Sequence, residues 1–232
     1  MGQGDNMKIP RVPHSWSVAP KRAMAIQSEL AGQIVRKGNV KRPALVAGAD
    51  LAFSRDGLEC IAGVVLWDVR SAEVVEQHLA RRSVRFPYVP GLLSFREAPA
   101  LIAALRKLRR EPDVFMFDGQ GFAHPRRFGL ACHVGLLIDR PSIGCAKSVL
   151  VGEFAMPGLS KGSIAPLVHC GQRVGTVVRT RDGVKPVYVS AGHRISLEAA
   201  VTITLICCAG YRLPEPTRLA DSLVARTRAE VG

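Results

Sequence analysis

The run Asp113-Val-Phe-Met-Phe-Asp118-Gly119-Gln-Gly121-Phe-Ala-His124-Pro-Arg126-Arg127-Phe-Gly129 decides the fold. Its opening residues are apolar and read as a short buried strand. The strand ends on Asp118, where two closely spaced glycines let the backbone turn sharply. A histidine and two arginines follow, and then a helix pattern begins. A carboxylate at a strand end, beside bare backbone N–H groups and positive charge, suits a metal ion and a phosphate. Asp and Gly are equally ordinary turn residues. The stretch alone therefore also permits a plain strand–turn–helix junction.

Upstream, residues 20–37 carry Ala23, Ile26, Leu30, Ile34 and Val35 at helical spacing, from Pro20 to a stop at Gly38. Residues 44–53 form an apolar, strand-like run with one carboxylate, Asp50, near its end. Residues 59–68 and 72–84 complete an antiparallel meander. An Asp inside a β-run is unusual; it either bonds to a turn or serves a site. Next, Pro87 and Pro90 bracket Tyr88 and Val89 in a stiff, extended loop. Such a loop either packs its ring on the core or presents it as a wedge for a base stack. Ser94 and Glu97 have the form of a capping box before a helical run over 99–108. That gives Glu97 a structural task, with metal ligation as the alternative.

Downstream, a helix is predicted over 127–138, with His133 structural. A strand over 142–147 then ends on Lys147, which is either solvated or near a phosphate. Residues 150–170 read as a long irregular loop. Residues 172–179 and 184–191 read as a hairpin. His193 sits between that strand end and a helix over 196–209, a loop position that favours a working histidine. A closing helix is predicted over 214–231.

Composition limits the function classes. The 232 residues suffice for a sizeable core, and hydrophobic residues make up 47%. Apolar runs stop well short of the ~18 residues a membrane span needs. Residues 1–13 are polar, lack an apolar signal core and read as a disordered leader to a single domain over 14–232. The six cysteines form no Cys-x-x-Cys pair, so they read as small buried hydrophobes in a reduced cytoplasm. With 32 Lys+Arg against 19 Asp+Glu, the net charge of +13 points to a polyanion partner.

Three carboxylates thus stand at separate points: Asp50, Glu97 and Asp118. The order of elements is a three-strand meander, a helix, then alternating strands and helices. This is the order of a ribonuclease-H-like α/β fold, with a central mixed five-stranded sheet flanked by helices. There the first and fourth strands are neighbours, so Asp50 and Asp118 would meet. Carboxylates brought together repel unless a cation lies between them. Hard oxygen ligands beside a phosphate substrate favour Mg²⁺, with Mn²⁺ as a substitute. The chemistry would be metal-assisted attack of water on a phosphodiester.

The sequence resembles the endonuclease V family over about residues 20–211. The resemblance rests on motifs in order: Gly48-Ala-Asp50; Pro87-Tyr88-Val89-Pro90-Gly91-Leu-Leu93-Ser-Phe-Arg-Glu97; Asp118-Gly119-x-Gly121-x-x-His124-Pro125-Arg126; Gly144-x-Ala-Lys147; and Ser190-x-Gly192-His193. It implies Mg²⁺-dependent hydrolysis of the second phosphodiester bond 3′ to deoxyinosine in DNA. It also implies that Asp50, Glu97 and Asp118 are the metal ligands and that Tyr88 is the wedge, held in the loop of Pro87, Val89 and Pro90. Lys147 and His193 would lie near the scissile phosphate, and His124 in the active-site region. Leu93 and the backbone of Gly119 and Gly121 would line the pocket for the flipped base. Gln120 departs from the histidine many members carry there, and Cys145 from the common valine. Two other readings stand beside this one: an endonuclease acting mainly on inosine in RNA, and a non-catalytic nucleic-acid-binding module. The expected protein is a monomer that needs no membrane.

Overall fold

A computed structural model describes residues 6–231. The strands are β1 (Leu45–Phe53), β2 (Glu59–Asp68), β3 (Glu73–Ser83), β4 (Val114–Phe117), β5 (Ser142–Ala146), β6 (Ile164–His169), β7 (Gln172–Val178) and β8 (Val187–Ala191). They form a single mixed sheet in the order β3-β2-β1-β4-β5-β8-β7-β6. The helices are α1 (Pro20–Ala31), α2 (Leu93–Leu105), α3 (Leu130–Ile138), α4 (Leu197–Ile206) and α5 (Glu215–Val231).

The first five strands take the expected arrangement. β1 pairs antiparallel with β2 and parallel with β4, with Ala49 opposite Phe117. That register carries Asp50 and Asp118 to the same edge of the sheet. The sheet nevertheless has eight strands, not five. β8 adds antiparallel to β5, and the β6–β7 hairpin extends the sheet outward. β6 falls in the stretch expected to be irregular because Pro166 interrupts its strand pattern. It lies at the sheet's edge, where a missing N–H costs no ladder bond.

Side-chain alternation divides the strands between two cores. Ala47, Ala49, Ala62, Val64, Phe115 and Phe117 face α2 and α3. The opposite face of the meander packs on α5: Val65 touches Ala220 and Leu223, and a Cβ at Gly48 would meet the Pro216 backbone at 2.0 Å. Val46, Met116, Ile143 and Cys145 pack on the same side against α4.

Other expectations need adjustment. The first helix ends at Ala31, and the chain beyond it bends to bring the Val35 N–H to His193 Nδ1 at 3.3 Å. α2 starts at Leu93, so Ser94 lies inside its first turn and cannot be its cap. Leu92 is the N-cap and no side chain caps it. The Ser94 hydroxyl instead bonds the His133 ring at 2.9 Å, which leaves Glu97 without the capping task. Cys170 is exposed, whereas the other five cysteines are buried; all six are free thiols. Of the expected leader, residues 1–5 lie outside the described residues. Beyond them, Met7, Ile9 and Val12 rest against the α2–α3 core, and the Met7 N–H bonds the Leu108 carbonyl at 2.7 Å.

Candidate active site

Asp50 projects from β1 toward the α5 face, and Asp118 follows β4 on the same side. Asp221, one turn and a half into α5, comes down to meet them. One carboxylate oxygen from each of Asp50, Asp118 and Asp221 lies within 4.8 Å of the others. Lys147, just past β5, puts its ammonium among them: 2.6 Å from Asp118 Oδ2, 2.9 Å from Asp221 Oδ1 and 3.7 Å from Asp50 Oδ2. Arg212 holds the backbone beneath, donating to the Lys147 carbonyl at 2.6 Å and the Pro186 carbonyl at 2.9 Å.

These neighbours reset the titration of the site. Burial raises Asp50, and the charge of Asp118 adds to it. Burial also raises Glu97, reinforced by Asp50 and Asp118, to about 8. Glu97 is therefore close enough to feel the cluster, although it is not one of the three whose oxygens converge. Burial raises Asp118 as well, against the opposing hydrogen bond and charge of Lys147. Burial works to lower Lys147, but Asp118, Asp221 and Asp50 outweigh it and keep the ammonium protonated. Asp221 goes the other way: its burial is overcome by hydrogen bonds to Lys147 and Asp50, so it stays ionised. Three convergent carboxylates with no sulfur or imidazole among them form a hard-oxygen donor set, which fits a divalent cation of the Mg²⁺ or Mn²⁺ kind.

On the α2–α3 side of this edge lies a cavity of about 120 Å³. Val89, Pro90, Leu93, Leu130 and Gln120 are among its walls, and Tyr88 stands at its rim with 71% of its surface exposed. The reading that Tyr88 packs on the core is overturned. The loop is anchored at both ends: the Gly91 carbonyl accepts from His124 Nε2 at 2.9 Å and from Arg126 at 2.7 Å, and the Phe86 carbonyl accepts from Arg96 at 3.1 Å. The other ring nitrogen of His124 accepts the Arg126 N–H at 3.2 Å. Burial, with the charge of Arg126, lowers His124 to about 4 and keeps its ring neutral. His124 thus braces the loop of Pro87, Tyr88, Val89 and Pro90. Beneath it, Gln120 Nε2 donates to the Ser148 carbonyl at 2.8 Å, while its buried Oε1 has no partner among the described residues.

Gly121 has a packing duty. A Cβ there would meet the Ala191 carbonyl at 2.3 Å. Its N–H bonds the Ser190 hydroxyl at 2.8 Å, and its carbonyl accepts from the Gly129 N–H at 2.9 Å. Neither backbone group is turned to the cavity. Gly119 takes a φ of +155°, in reach of a glycine alone.

His193 is not brought to the carboxylates. β8 runs antiparallel to β5 and delivers it to the far end of that strand, where Ser142 N–H bonds its carbonyl at 2.9 Å. Five residues of β5 put it about 16 Å from Lys147. Its Nε2 lies 3.1 Å from Asp139 Oδ1, and it is buried. The loop setting suggested chemistry, but the strand direction turned the residue away. Sequence reasoning missed Asp221 in its place. An Asp on the half-exposed face of a terminal helix carries no local signal; only the packing of that face on Gly48 and Gly63 reveals it.

Comparison with known proteins adds to this geometry. The family model described as Endonuclease V matches residues 28–222. An endonuclease V from Trichormus variabilis is 48% identical over 214 residues, covering 92% of this chain and 97% of its own. The crystal structure of the endonuclease V from Streptomyces avermitilis superposes with a TM-score of 0.89 at 42% identity, covering 97% of this chain and 99% of that one. The endonuclease V of Ciona intestinalis, solved with a DNA 24-mer containing an inosine followed by a ribo-adenosine, superposes at 0.81 with 27% identity, covering 91% and 98%.

Proposed function

The chain belongs to the endonuclease V family, and from that premise we propose that it is a DNA repair endonuclease hydrolysing the second phosphodiester bond 3′ to deoxyinosine. The observation that carries the reading is one arrangement. A converging carboxylate cluster lies at a sheet edge, beside a mostly apolar cavity rimmed by an exposed tyrosine.

The chain's own groups suit the steps. The rigid loop of Pro87, Tyr88, Val89 and Pro90 presents a ring that fills the gap left by an extruded base. A mismatched base costs less to extrude, which favours a deaminated one. The cavity behind the loop holds that base between Leu93, Leu130 and the Gln120 side chain. Asp50, Asp118 and Asp221 would hold Mg²⁺, with Glu97 alongside, and Mn²⁺ is an alternative. When bound, the ion supplies activation of water and stabilisation of the leaving oxygen. Lys147, kept protonated, stands where it can pair with a phosphate oxygen once the carboxylates have another cation to face. His124 is assigned to bracing and His193 to the far edge of the fold, so neither is asked to move a proton. The net charge of +13 suits a polyanionic substrate. In this reading residues 14–232 act as one catalytic domain, as a monomer in the cytoplasm. Among the described residues no helix is long and apolar enough to cross a membrane.

The test is cleavage of labelled strands carrying a single deoxyinosine, with Mg²⁺ and with EDTA, beside matched ribo-inosine strands. A metal-dependent nick at the second bond 3′ to deoxyinosine is expected. Equal or faster cutting of the RNA would move the assignment to an inosine endoribonuclease, and binding without cutting to a nucleic-acid-binding module.

A further inference from the structure

A second groove, of about 600 Å³, opens from the carboxylate cluster on the α5 side. One wall is the end of β1 and the turn after it, with Leu51, Phe53 and Arg55. The other is the exposed face of α5, with Asp221, Ala225 and Arg228. Its volume lies within the roughly 300–1,000 Å³ of ligand sites. Asp221 belongs to both the groove and the cluster, so the two are continuous. Two turns of helix carry the wall about 10 Å from Asp221 to Arg228.

The composition fits a single nucleic-acid strand. Ala52, Ala225 and Ala229 give it apolar surface, and Arg55 and Arg228 flank it. Bases rest on apolar and aromatic surface while cations follow the phosphates.

The groove's place gives it a direction. The base cavity is on the α2–α3 side of the sheet edge, the groove is on the α5 side, and the carboxylates lie between. The cut falls 3′ to the inosine, so the inosine is on the 5′ side of the scissile phosphate. A strand with its inosine in the cavity and its scissile phosphate at the carboxylates must leave 3′-end first on the α5 side. From this we infer that the groove between the β1 end and α5 is the binding site for the nucleotides 3′ of the cut, with Arg228 a phosphate contact within it. The inference rests on the inosine-nuclease reading and adds a subsite and a strand polarity to it.

The experiment compares labelled single-stranded deoxyinosine oligonucleotides that end just past the cut with ones extended on the 3′ side, and with ones extended on the 5′ side. Wild type and Arg228→Glu are assayed for kcat/KM, and a thermal melt checks that the variant is folded. The readout is the gain from each extension, a ratio within one protein, so an overall loss of activity cancels. Wild type should gain from 3′ extension. Arg228→Glu should lose about threefold to fivefold of that gain, the scale of one exposed ion pair, and keep the gain from 5′ extension. The inference is overturned by a wild type indifferent to 3′ extension, by a variant that keeps the 3′ gain, or by loss of the 5′ gain in its place. A wild type that cuts no deoxyinosine strand sinks the underlying nuclease reading instead.

Discussion

Asp118 and Asp221 reach the same point from opposite ends of the chain's chemistry. The first ends a buried strand, where its burial announces it; the second lies on a helix face that resembles any solvated surface. Their shared contact with Lys147, at 2.6 and 2.9 Å, makes them comparable in function. Replacing either with Asn keeps shape and removes charge. Single-turnover cleavage by Asp118→Asn and by Asp221→Asn should each fall by ~10²-fold or more, the scale of losing one electrostatic element of a site. Binding of the deoxyinosine strand should persist. An Asp221→Asn variant that cuts at the wild-type rate would remove α5 from the centre. Residue-level legibility follows burial. Asp50 and Asp118 could be found because a carboxylate within an apolar strand needs a reason. Glu97 stood open between a cap and a ligand, since its local pattern imitates a capping box. His193 misled because a histidine after a strand says nothing of which end of the sheet the strand reaches.

Among elements, the loop from Phe86 to Gly91 has a distinctive build. It holds an aromatic ring in solvent between two prolines and is fixed through the Phe86 carbonyl and through the Gly91 carbonyl, which takes two donors. Exposing a tyrosine without packing it forgoes the burial that usually places aromatic residues inside. In the proposed reading the ring finds its partner in a base stack. Tyr88→Ala should slow cutting of a duplex by about tenfold, taking stacking at ~1–3 kcal/mol per base. It should slow cutting of the same strand in single-stranded form much less, since nothing there has to be pried open. Equal losses on both would mean that Tyr88 contributes binding and not strand separation. The prolines made this loop visible in the sequence as stiff and extended. Its exposure was not visible, because stiffness is compatible with either face.

At the scale of the molecule, the meander and the β1–β4 neighbourhood were legible because alternation and order together leave few topologies. Of the outer three strands, β7 and β8 were legible as a hairpin but not as part of the sheet, and β6 was not legible because it carries a proline and pairs only at the edge. The same sheet sets a global dependence on pH and metal. Glu97, held near 8, and Asp50, also raised, bind protons more tightly in the folded state than in the unfolded one. Their contribution to stability is present below about pH 4 and lost as pH rises through about 8. Without metal, this cluster should make the protein less heat-stable at pH 8 than at pH 6. A bound divalent ion replaces those protons. With Mg²⁺ or Mn²⁺ at one fixed concentration, about a hundred times its dissociation constant at pH 8, Tm should rise by about 5–10 °C at pH 8, and by less at pH 6. A rise that is larger at pH 6 would place the ion elsewhere. The position of Asp221 has one more consequence. The centre draws on positions 50, 118 and 221, and the last of these comes from the final helix, seated on Gly48 and Gly63 by contacts no larger residue would allow. During translation the sheet's first strands emerge long before that helix. A growing chain on the ribosome therefore holds the parts of a nuclease without its assembled centre. The centre is complete only once α5 has been made and seated on the sheet.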